Sequence, residues 1–341
     1  MKANLKEMEL PELEAFVVEL GAEKYRARQV FQWIYRGASS FDEMTDLPSS
    51  FREKLKETAE LVCLSLVKCQ RSKADGTRKY LFALFDGNAI ESVWMKYKFG
   101  SSICVSSQAG CGRGCSFCAS GKDGLARNLS AGEMVDQVLA VQRDAGEKIN
   151  HVTVMGTGEP FDNYEQLSRF LRLINRPEGL GIGARSITVS TCGVAPMIGR
   201  FGQDFPQVNL AVSLHGANDE TRNALMPVGR AHPFQQLLAA CKAYTEQTNR
   251  RITFEYALIK GKNDEPKAAD ELAEKLGGML CHVNLIPFNP VSATGFYPTD
   301  AGKAAAFQER LERRGIAATV RRPLGKEIDA ACGQLVRSVF A

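Results

Sequence analysis

The chain has 341 residues, a formal net charge of +4, and 24% charged and 44% hydrophobic residues. This composition excludes a fibrous or wholly disordered chain, and the length suits one barrel-sized domain with a smaller companion. No apolar run reaches the roughly 18 residues of a membrane span, and the N-terminus lacks a secretory pattern, so we expect a cytoplasmic protein with no membrane partner. Ten cysteines are too dilute for a secreted disulfide scaffold, which favours metal or redox chemistry for any that cluster.

Residues 1–60 are predicted to form a small helical domain. Apolar residues recur there with helical spacing in two segments that each end at a glycine: Leu13, Phe16, Val17 and Leu20 before Gly21, and Val30, Phe31 and Ile34 before Gly37. Residues 61–100 change to the period of strands, with turn signals at Asp75-Gly76 and Asp86-Gly87. They predict a β-rich connector, either a small meander or the lead-in to a larger sheet.

From residue 101 onward, strands alternate with helices. Six strands are predicted, at 102–107, 151–155, 186–190, 208–214, 252–259 and 282–288. The clearest helix runs from Ser130 to Gly146, where Ser130 and Glu133 form a capping box. A helix near 299–314 and a last strand, AATVRR, follow the sixth strand. The alternation predicts a parallel sheet, as a partial (β/α) barrel or a doubly wound fold.

Unusual residues follow the predicted strands at one kind of place, the carboxyl end. CGRGCSFC, GTGEP, STCG, SLHG and NPV each stand at such an end. Because active sites of parallel barrels lie at the carboxyl ends of the strands, these segments predict one composite site.

Cys111, Cys115 and Cys118 form a CxxxCxxC pattern in a glycine-rich loop. A structural zinc site wants four ligands, and the sequence offers no second CxxC or HxxxH pair. Three thiolates on a four-iron cluster would instead leave one iron open to a small molecule. An incidental thiol cluster or a zinc knuckle is the alternative.

With this motif after the first barrel strand, the chain resembles the radical S-adenosylmethionine (SAM) superfamily. The resemblance implies a partial (β/α)6 barrel of the TIM type, with a [4Fe–4S] cluster on Cys111, Cys115 and Cys118 whose open iron binds SAM. It also implies that Gly158 and Glu159, in the GEP motif, hold the amino group of SAM. By the same resemblance, the rest of the SAM pocket comprises Ser190, Ser213, Leu214, His215 and Asn289. An isolated serine or histidine is otherwise more simply a cap or a satisfied core residue.

Two further cysteines narrow the resemblance. The contexts CVSSQAGC, around Cys104, and IDAACGQL, around Cys332, are similar to those of the dual-specificity RNA methyltransferase family. YRARQVFQWIY, RNLSAGEMVDQV and QVNLAVSLHGANDETR extend the likeness over nearly the whole chain. The likeness implies methylation at C2 of an adenine in 23S rRNA and in tRNA, next to the anticodon. Residues 101–341 would then be the radical SAM core, with Cys332 in its C-terminal segment.

An adenine ring carbon cannot attack a sulfonium methyl as a nitrogen can, and a radical route avoids this. The resemblance implies that Cys332 takes a methyl group from one SAM, and that a radical from a second SAM activates this group for addition to adenine. Cys104 then releases the product by forming a disulfide with Cys332, and Glu91 is the implied base. The alternative for Glu91 is a surface strand carboxylate. An electron donor such as flavodoxin or ferredoxin is the implied partner.

The other cysteines and the basic residues complete the picture. We predict that Cys63, Cys69, Cys241 and Cys281 are small buried residues, and Cys192 lies near the site without an assigned role. Three basic groups are candidate RNA contacts, with solvated faces as the alternative. They are Lys68, Arg71, Lys73, Arg78 and Lys79; Arg313, Arg314, Arg321, Arg322 and Lys326; and Lys24, Arg26, Arg28 and Arg36.

Two other functions compete with C2 methylation. A subfamily that methylates C8 of adenine and confers antibiotic resistance shares the same motifs. A non-enzymatic iron–sulfur or zinc RNA-binding protein would also contain clustered cysteines, but it would fill all its metal positions and turn over no SAM.

Overall fold

The computed structural model describes residues 2–61, 64–290 and 295–335, and the backbone of 338–339. The N-terminal unit consists of two short parallel strands around three helices: β1 Ala3–Asn4, α1 Leu10–Glu19, α2 Arg26–Arg36, α3 Ser49–Thr58 and β2 Ala59–Glu60. Pairing of β1 with β2 brings the two ends of the unit together. The predicted helices are confirmed, because Leu13, Val17, Val30 and Phe31 are fully buried on their inner faces.

The β-rich segment leads into the main sheet. Four strands pair antiparallel in sequence order: β3 Ser65–Arg71, β4 Arg78–Ala83, β5 Asn88–Tyr97 and β6 Gly100–Val105. A two-stranded ribbon follows, made of β7 Gln108–Gly110 and β8 Leu125–Asn128. The connector is therefore continuous with the barrel sheet through β6.

Strands and helices alternate beyond the ribbon. The elements in chain order are α4 Ala131–Ala145, β9 Ile149–Val154, α5 Tyr164–Asn175, β10 Ile187–Thr191, α6 Ala195–Asp204, β11 Asn209–Ser213, α7 Asp219–Leu225, α8 Phe234–Thr248, β12 Ile252–Leu258, α9 Pro266–Leu276, β13 Cys281–Pro287, α10 Ala301–Arg313 and β14 Ala318–Val320. The six predicted strands correspond to β6 and β9–β13, and the predicted last strand to β14. The capping box of α4 is also present, with Glu133 N donating to Ser130 Oγ at 3.2 Å.

The sheet is a partial barrel. Strands β6, β9, β10, β11, β12, β13 and β14 are parallel neighbours in chain order, without the reversal of order that defines a doubly wound sheet. On its other side β6 pairs with β5, and β15 Ser338–Val339 also pairs with β5. The barrel is thus left open between its first and last strands.

A buried ion pair joins the N-terminal unit to the barrel. Lys6 Nζ lies 2.5 Å from Asp136 Oδ1 on α4, with the two side chains 1% and 2% exposed. The second carboxylate oxygen of Asp136 accepts a hydrogen bond from Leu64 N at 2.5 Å. One carboxylate therefore fixes both the N-terminal turn and the segment leading to β3. Within the described residues, no helix combines the length and apolarity that crossing a bilayer requires.

Candidate active site

The three clustered cysteines lie in the loop between β7 and β8. Cys111, Cys115 and Cys118 all line one cavity at the carboxyl ends of the barrel strands. Backbone hydrogen bonds fix the loop, because Cys111 N donates to Gly124 O at 3.0 Å and Ser116 N to Leu225 O at 3.0 Å. Burial raises the pKa of Cys111 to about 11 and that of Cys115 to about 12. Thiols of this kind ionise when a cation binds them.

The donor set fits an iron–sulfur cluster. Among the residues described here, no group of three or more His, Cys, Asp or Glu side chains is placed to hold a single metal ion. A [4Fe–4S] cluster makes a different demand, because each thiolate binds its own iron. Three thiols that open onto one cavity beside a carboxylate meet that demand, and they leave an iron for a chelating ligand.

The carboxylate is that of Glu159, which follows β9. Its side chain is buried, with Oε1 accepting from Phe161 N at 2.9 Å and Oε2 from Cys192 N at 2.6 Å. Burial raises the pKa of Glu159, and these backbone bonds oppose the rise. The side chains of Cys192 and Thr191 are further hydrogen-bond partners of this carboxylate, and its negative charge can attract a cationic donor such as an ammonium group.

Gly158 allows the chain to pass closely over β7. Its φ is +112°, and a Cβ at this position would lie 2.6 Å from the Cβ of Gln108. Gln108 Oε1 in turn accepts a hydrogen bond from Glu159 N at 2.8 Å. Glycine is therefore required here both by the backbone conformation and by the lack of space.

The remaining predicted pocket residues come from the ends of other strands. Four of them line the cavity of the three cysteines: Ser190, Ser213, His215 and Asn289. Leu214 differs, because its side chain is fully buried in the core. Only its main chain is available to the site, and its carbonyl already accepts a hydrogen bond from Arg222 Nη1 at 2.9 Å.

His215 is held as a neutral ring. Its Nδ1 accepts a hydrogen bond from Ala257 N at 2.9 Å, and its ring packs edge-on against Phe117 with centroids 4.8 Å apart. Burial, followed by the charge of Arg222, lowers the pKa of His215 to about 3. Because Nδ1 accepts, the ring proton lies on Nε2, which makes that atom a donor.

Arg222, which was not predicted from the sequence, supports the site from behind without lining either cavity. Its fully buried guanidinium donates to Ser213 O at 2.7 Å, to Leu214 O at 2.9 Å and to Cys192 O at 2.6 Å. It thereby ties the end of β10 to the end of β11. Arg222 ends the segment QVNLAVSLHGANDETR that carried the family resemblance, but nothing in that segment indicates that its guanidinium is buried.

A second cavity adjoins the first and contains the two other cysteines of interest. Cys104 on β6 and Cys332 on the C-terminal loop both line it, and both are free thiols. The two cavities share Cys118, Met155 and Asn289. Burial raises the pKa of Cys104 to about 12.

The loop that contains Cys332 is fixed from two sides. Upstream of Cys332, Gly325 N donates to Asp75 Oδ2 at 2.9 Å in the turn between β3 and β4. Downstream of Cys332, Gly333 O accepts a hydrogen bond at 2.8 Å from the backbone N of Ala119, the residue directly after Cys118. Neither contact is predictable from the sequence, because each joins segments far apart in the chain.

Glu91 lies beside this region and is buried, not a surface carboxylate. It is 5% exposed, and its Oε1 lies 3.1 Å from Lys79 Nζ. Two residues further along β5, on the same face of the strand, Val93 lines the second cavity. Lys79 also donates to Asp329 O at 3.2 Å.

Several expectations need correction. Cys69 was predicted to be buried and is exposed, because the edge strand β3 has little packed against it. Cys241 and Cys281 are buried as predicted. Cys63 lies outside the described residues. Lys79 is buried, and Arg321 directs Nη1 to Cys332 Sγ at 3.1 Å, so neither belongs to an exposed basic patch. Arg78, Arg313 and Arg314 are engaged in ion pairs with acidic neighbours.

Cysteines on a glycine-rich loop, a GEP carboxylate and an open parallel barrel together define a radical SAM enzyme. Residues 105–273 match the radical SAM superfamily, and residues 3–61 match the family described as ribosomal RNA large subunit methyltransferase N-terminal domain. The chain belongs to the family of dual-specificity RNA methyltransferases RlmN.

The similarity spans nearly whole chains. A probable dual-specificity RNA methyltransferase RlmN of Thermoanaerobacter sp. (strain X514) is 51% identical over 98% of this chain and 98% of its own length. That of Pelotomaculum thermopropionicum is 50% identical over 99% of this chain and 92% of its own. The crystal structure of a radical SAM methyltransferase from Sphaerobacter thermophilus superposes with a TM-score of 0.94, at 47% identity, covering 98% of this chain and 99% of that one.

Proposed function

We propose that the protein methylates C2 of an adenine in 23S rRNA and in tRNA, at the position next to the anticodon. The methyl group travels through an S-methylcysteine on Cys332, and a transient disulfide between Cys104 and Cys332 releases the product. Two molecules of SAM are consumed in each turnover, one as methyl donor and one as radical source.

One observation carries this proposal. Two free thiols from opposite ends of the core, Cys104 on a strand and Cys332 on a loop, line one cavity. That cavity adjoins the one lined by the three clustered cysteines and Glu159. Two thiols on one cavity, next to the cavity of the three clustered cysteines, support methyl transfer through cysteine.

The residues of the first cavity would hold the cofactors. Cys111, Cys115 and Cys118 would hold a [4Fe–4S] cluster, which supplies the electron that cleaves SAM to a 5′-deoxyadenosyl radical. Glu159 offers carboxylate oxygens to the amino group of SAM, and the neutral His215 offers its Nε2 proton. The other residues of the proposed SAM pocket are Gly158, Ser190, Ser213, Leu214 and Asn289.

The second cavity would carry out the steps on RNA. Cys332 takes the methyl group, and after the activated carbon has bonded to adenine, Glu91 removes the ring proton. Lys79, 3.1 Å from Glu91, keeps a positive charge next to that carboxylate. Cys104 then attacks the sulfur of Cys332, so that the carbon–sulfur bond breaks and the disulfide forms. The freed carbon would take up a proton to become the methyl group, and the odd electron would pass back to the oxidised cluster. Reduction of the disulfide restores both thiols.

Exposed basic residues support an RNA partner. Lys68, Arg71 and Lys73 project from the edge of the sheet, and Arg28 and Arg36 from the N-terminal unit.

A small electron-transfer protein such as flavodoxin or ferredoxin would supply the reducing electron. Because its substrates would be ribosomal and transfer RNA, we propose that the protein acts in the cytoplasm.

The test is anaerobic reconstitution with iron, sulfide, SAM and an RNA fragment, followed by mass spectrometry of the digested RNA. We expect 5′-deoxyadenosine together with 2-methyladenosine. Cys332→Ala should abolish the methylated base, whereas Cys69→Ala, a cysteine on the exposed strand, should leave the yield unchanged. A methyl group on C8 would show that the enzyme methylates C8 and not C2. If SAM were not cleaved and the RNA were not methylated, the enzyme function would be excluded.

A further inference from the structure

The two thiols of the second cavity have different surroundings. Cys104 has mainly apolar surroundings, among them Val93, Met95 and Leu335, with hydrogen bonds to the Thr153 side chain and the Met155 backbone. Cys332, on the same cavity, accepts a hydrogen bond at Sγ from Arg321 Nη1 at 3.1 Å. The Cys332 sulfur is therefore hydrogen-bonded to a cation, whereas the hydrogen-bond partners of the Cys104 sulfur are neutral.

Arg321 reaches this position because it is the first residue after β14, at the open edge of the barrel. Its half-buried side chain lines both cavities. The ionisable groups around it come from four elements: Cys332 on the loop, Glu255 on β12, Tyr97 on β5 and Cys104 on β6. The nearby Cys332, foremost, raises the pKa of Arg321 further above its usual range, so the guanidinium is permanently charged.

Glu255 is a second acidic group near this cation. It is buried, and its Oε2 accepts a hydrogen bond from Asn284 Nδ2 at 2.8 Å. Burial raises the pKa of Glu255, although the charge of Arg321 and the bond from Asn284 oppose the rise. Burial thus disfavours the charged form of Glu255, whereas the sulfur of Cys332 accepts a direct hydrogen bond from the guanidinium.

We infer that Arg321 determines which of the two thiols accepts the methyl group, by stabilising Cys332 as the thiolate while Cys104 remains protonated. The inference rests on the proposed function, in which Cys332 is the methyl carrier. The thiolate is the nucleophile in alkylation, and a charge-assisted hydrogen bond is stronger than a neutral one. Arg321 is a catalytic residue in this sense, because it touches the reacting sulfur.

The step balances without any further reagent. The Cys332 thiol releases its proton to solvent, and its sulfur electron pair forms the new bond to the methyl carbon. The bond from that carbon to the sulfonium of SAM breaks, and neutral S-adenosylhomocysteine leaves. Cys104 keeps its proton throughout, so it is preserved as a thiol for the later release step.

The experiment measures thiol selectivity directly. The holoenzyme is exposed briefly to iodoacetamide under anaerobic conditions, without RNA or SAM, and alkylation at Cys332 and Cys104 is quantified by peptide mass spectrometry. In the wild type we expect Cys332 to react preferentially at pH 7. Arg321→Met should lower the ratio of Cys332 to Cys104 alkylation by about tenfold or more, since it removes a charged hydrogen-bond donor.

Two variants serve as controls. Arg321→Lys keeps the positive charge and should retain most of the selectivity. Arg322→Met, at the exposed neighbouring position, should leave the ratio unchanged. Raising the pH should restore the reactivity of Cys332 in Arg321→Met, because hydroxide then ionises the thiol without help. A variant that was merely misfolded would instead expose both thiols, so that Cys104 and Cys332 would be alkylated to similar extents at every pH.

An unchanged ratio in Arg321→Met would overturn the inference. If that variant does not fold, the wild type still decides, because equal pH profiles for Cys104 and Cys332 alkylation would equally overturn it. Neither measurement uses RNA or turnover. Their failure therefore refutes the role of Arg321 alone, whereas absence of methyladenosine in the reconstituted reaction refutes the proposed function.

Discussion

The ion pair between Lys6 and Asp136 offers a test of how the N-terminal unit is attached to the barrel. Both side chains are almost completely buried, at 1% and 2% exposure, and Asp136 also accepts a hydrogen bond from Leu64 N. Lys6→Met preserves the length and volume of the side chain but leaves the carboxylate without its cation. The variant therefore isolates the effect of an unpaired buried charge.

The expected loss is large. Removing one partner of a buried pair costs about 3–5 kcal/mol, because the remaining charge is uncompensated. Unfolding entropy of about 2.1 cal/mol/K per residue gives roughly 0.7 kcal/mol/K for a chain of 341 residues. A destabilisation of about 4 kcal/mol then corresponds to a fall in melting temperature of about 5–6 °C.

Differential scanning calorimetry of the holoenzyme measures this fall. The matched control is Lys56→Met, because Lys56 is paired with Asp42 and Glu53 at the surface, where solvent screens the charges. It should melt with the wild type. Adding Asp136→Leu to Lys6→Met should restore about half of the loss, since the buried charge disappears but Leu64 N loses its acceptor. A fall below about 1 °C in Lys6→Met would refute the reasoning, because it would mean that the pair is hydrated.

Three further predictions concern the site. Cys104→Ala should accumulate a covalent enzyme–RNA adduct that nuclease collapses on a denaturing gel; normal turnover, or the same adduct in Cys332→Ala, would contradict the assigned order of the thiols. Glu159→Ala should weaken SAM binding in calorimetric titration while the iron–sulfur absorption persists; unchanged affinity would remove this carboxylate from the pocket. The lowered pKa of His215, about 3 when folded, predicts that stability is fully present above pH 6.5 and is lost as the pH falls towards 3, at about 1.4 kcal/mol per pH unit. His215→Asn, which tolerates the positive φ, should lose about 2 kcal/mol less than the wild type between pH 7 and pH 5 in urea unfolding, and an identical loss would show that the ring is not buried as a neutral group.

The sequence predicts the elements of this fold better than it predicts the contacts between them. The six strands and the helix after Ser130 were predictable because apolar spacing and caps are local signals. The residues at the ends of the strands were predictable because a parallel barrel brings all those ends to one face. Leu214 differs from the other predicted residues, since its side chain is buried in the core and does not line the cavity.

The sequence alone could not predict which charged side chains are buried. Arg222 and Arg321 look like any surface arginine in the sequence, yet one ties strand ends together and the other contacts the sulfur of Cys332. Both depend on partners from distant segments, and a run of basic residues carries no information about such partners. The prediction for Cys69 was wrong in the opposite direction, because this residue was expected to be buried and is exposed. An apolar stretch does not reveal that its strand lies at the edge of the sheet.

Strand β6 gives the two thiols unequal freedom of movement. Cys104 is paired with Val93 on one side and with Thr153 on the other, so its backbone lies in the interior of the sheet. Amide hydrogens at such positions exchange only when a large part of the fold opens, whereas a loop fixed at a few points opens by itself. If the two thiols react as proposed, strand β6 would hold Cys104 stationary, and a change in the distance between the two sulfurs would require a displacement of Cys332.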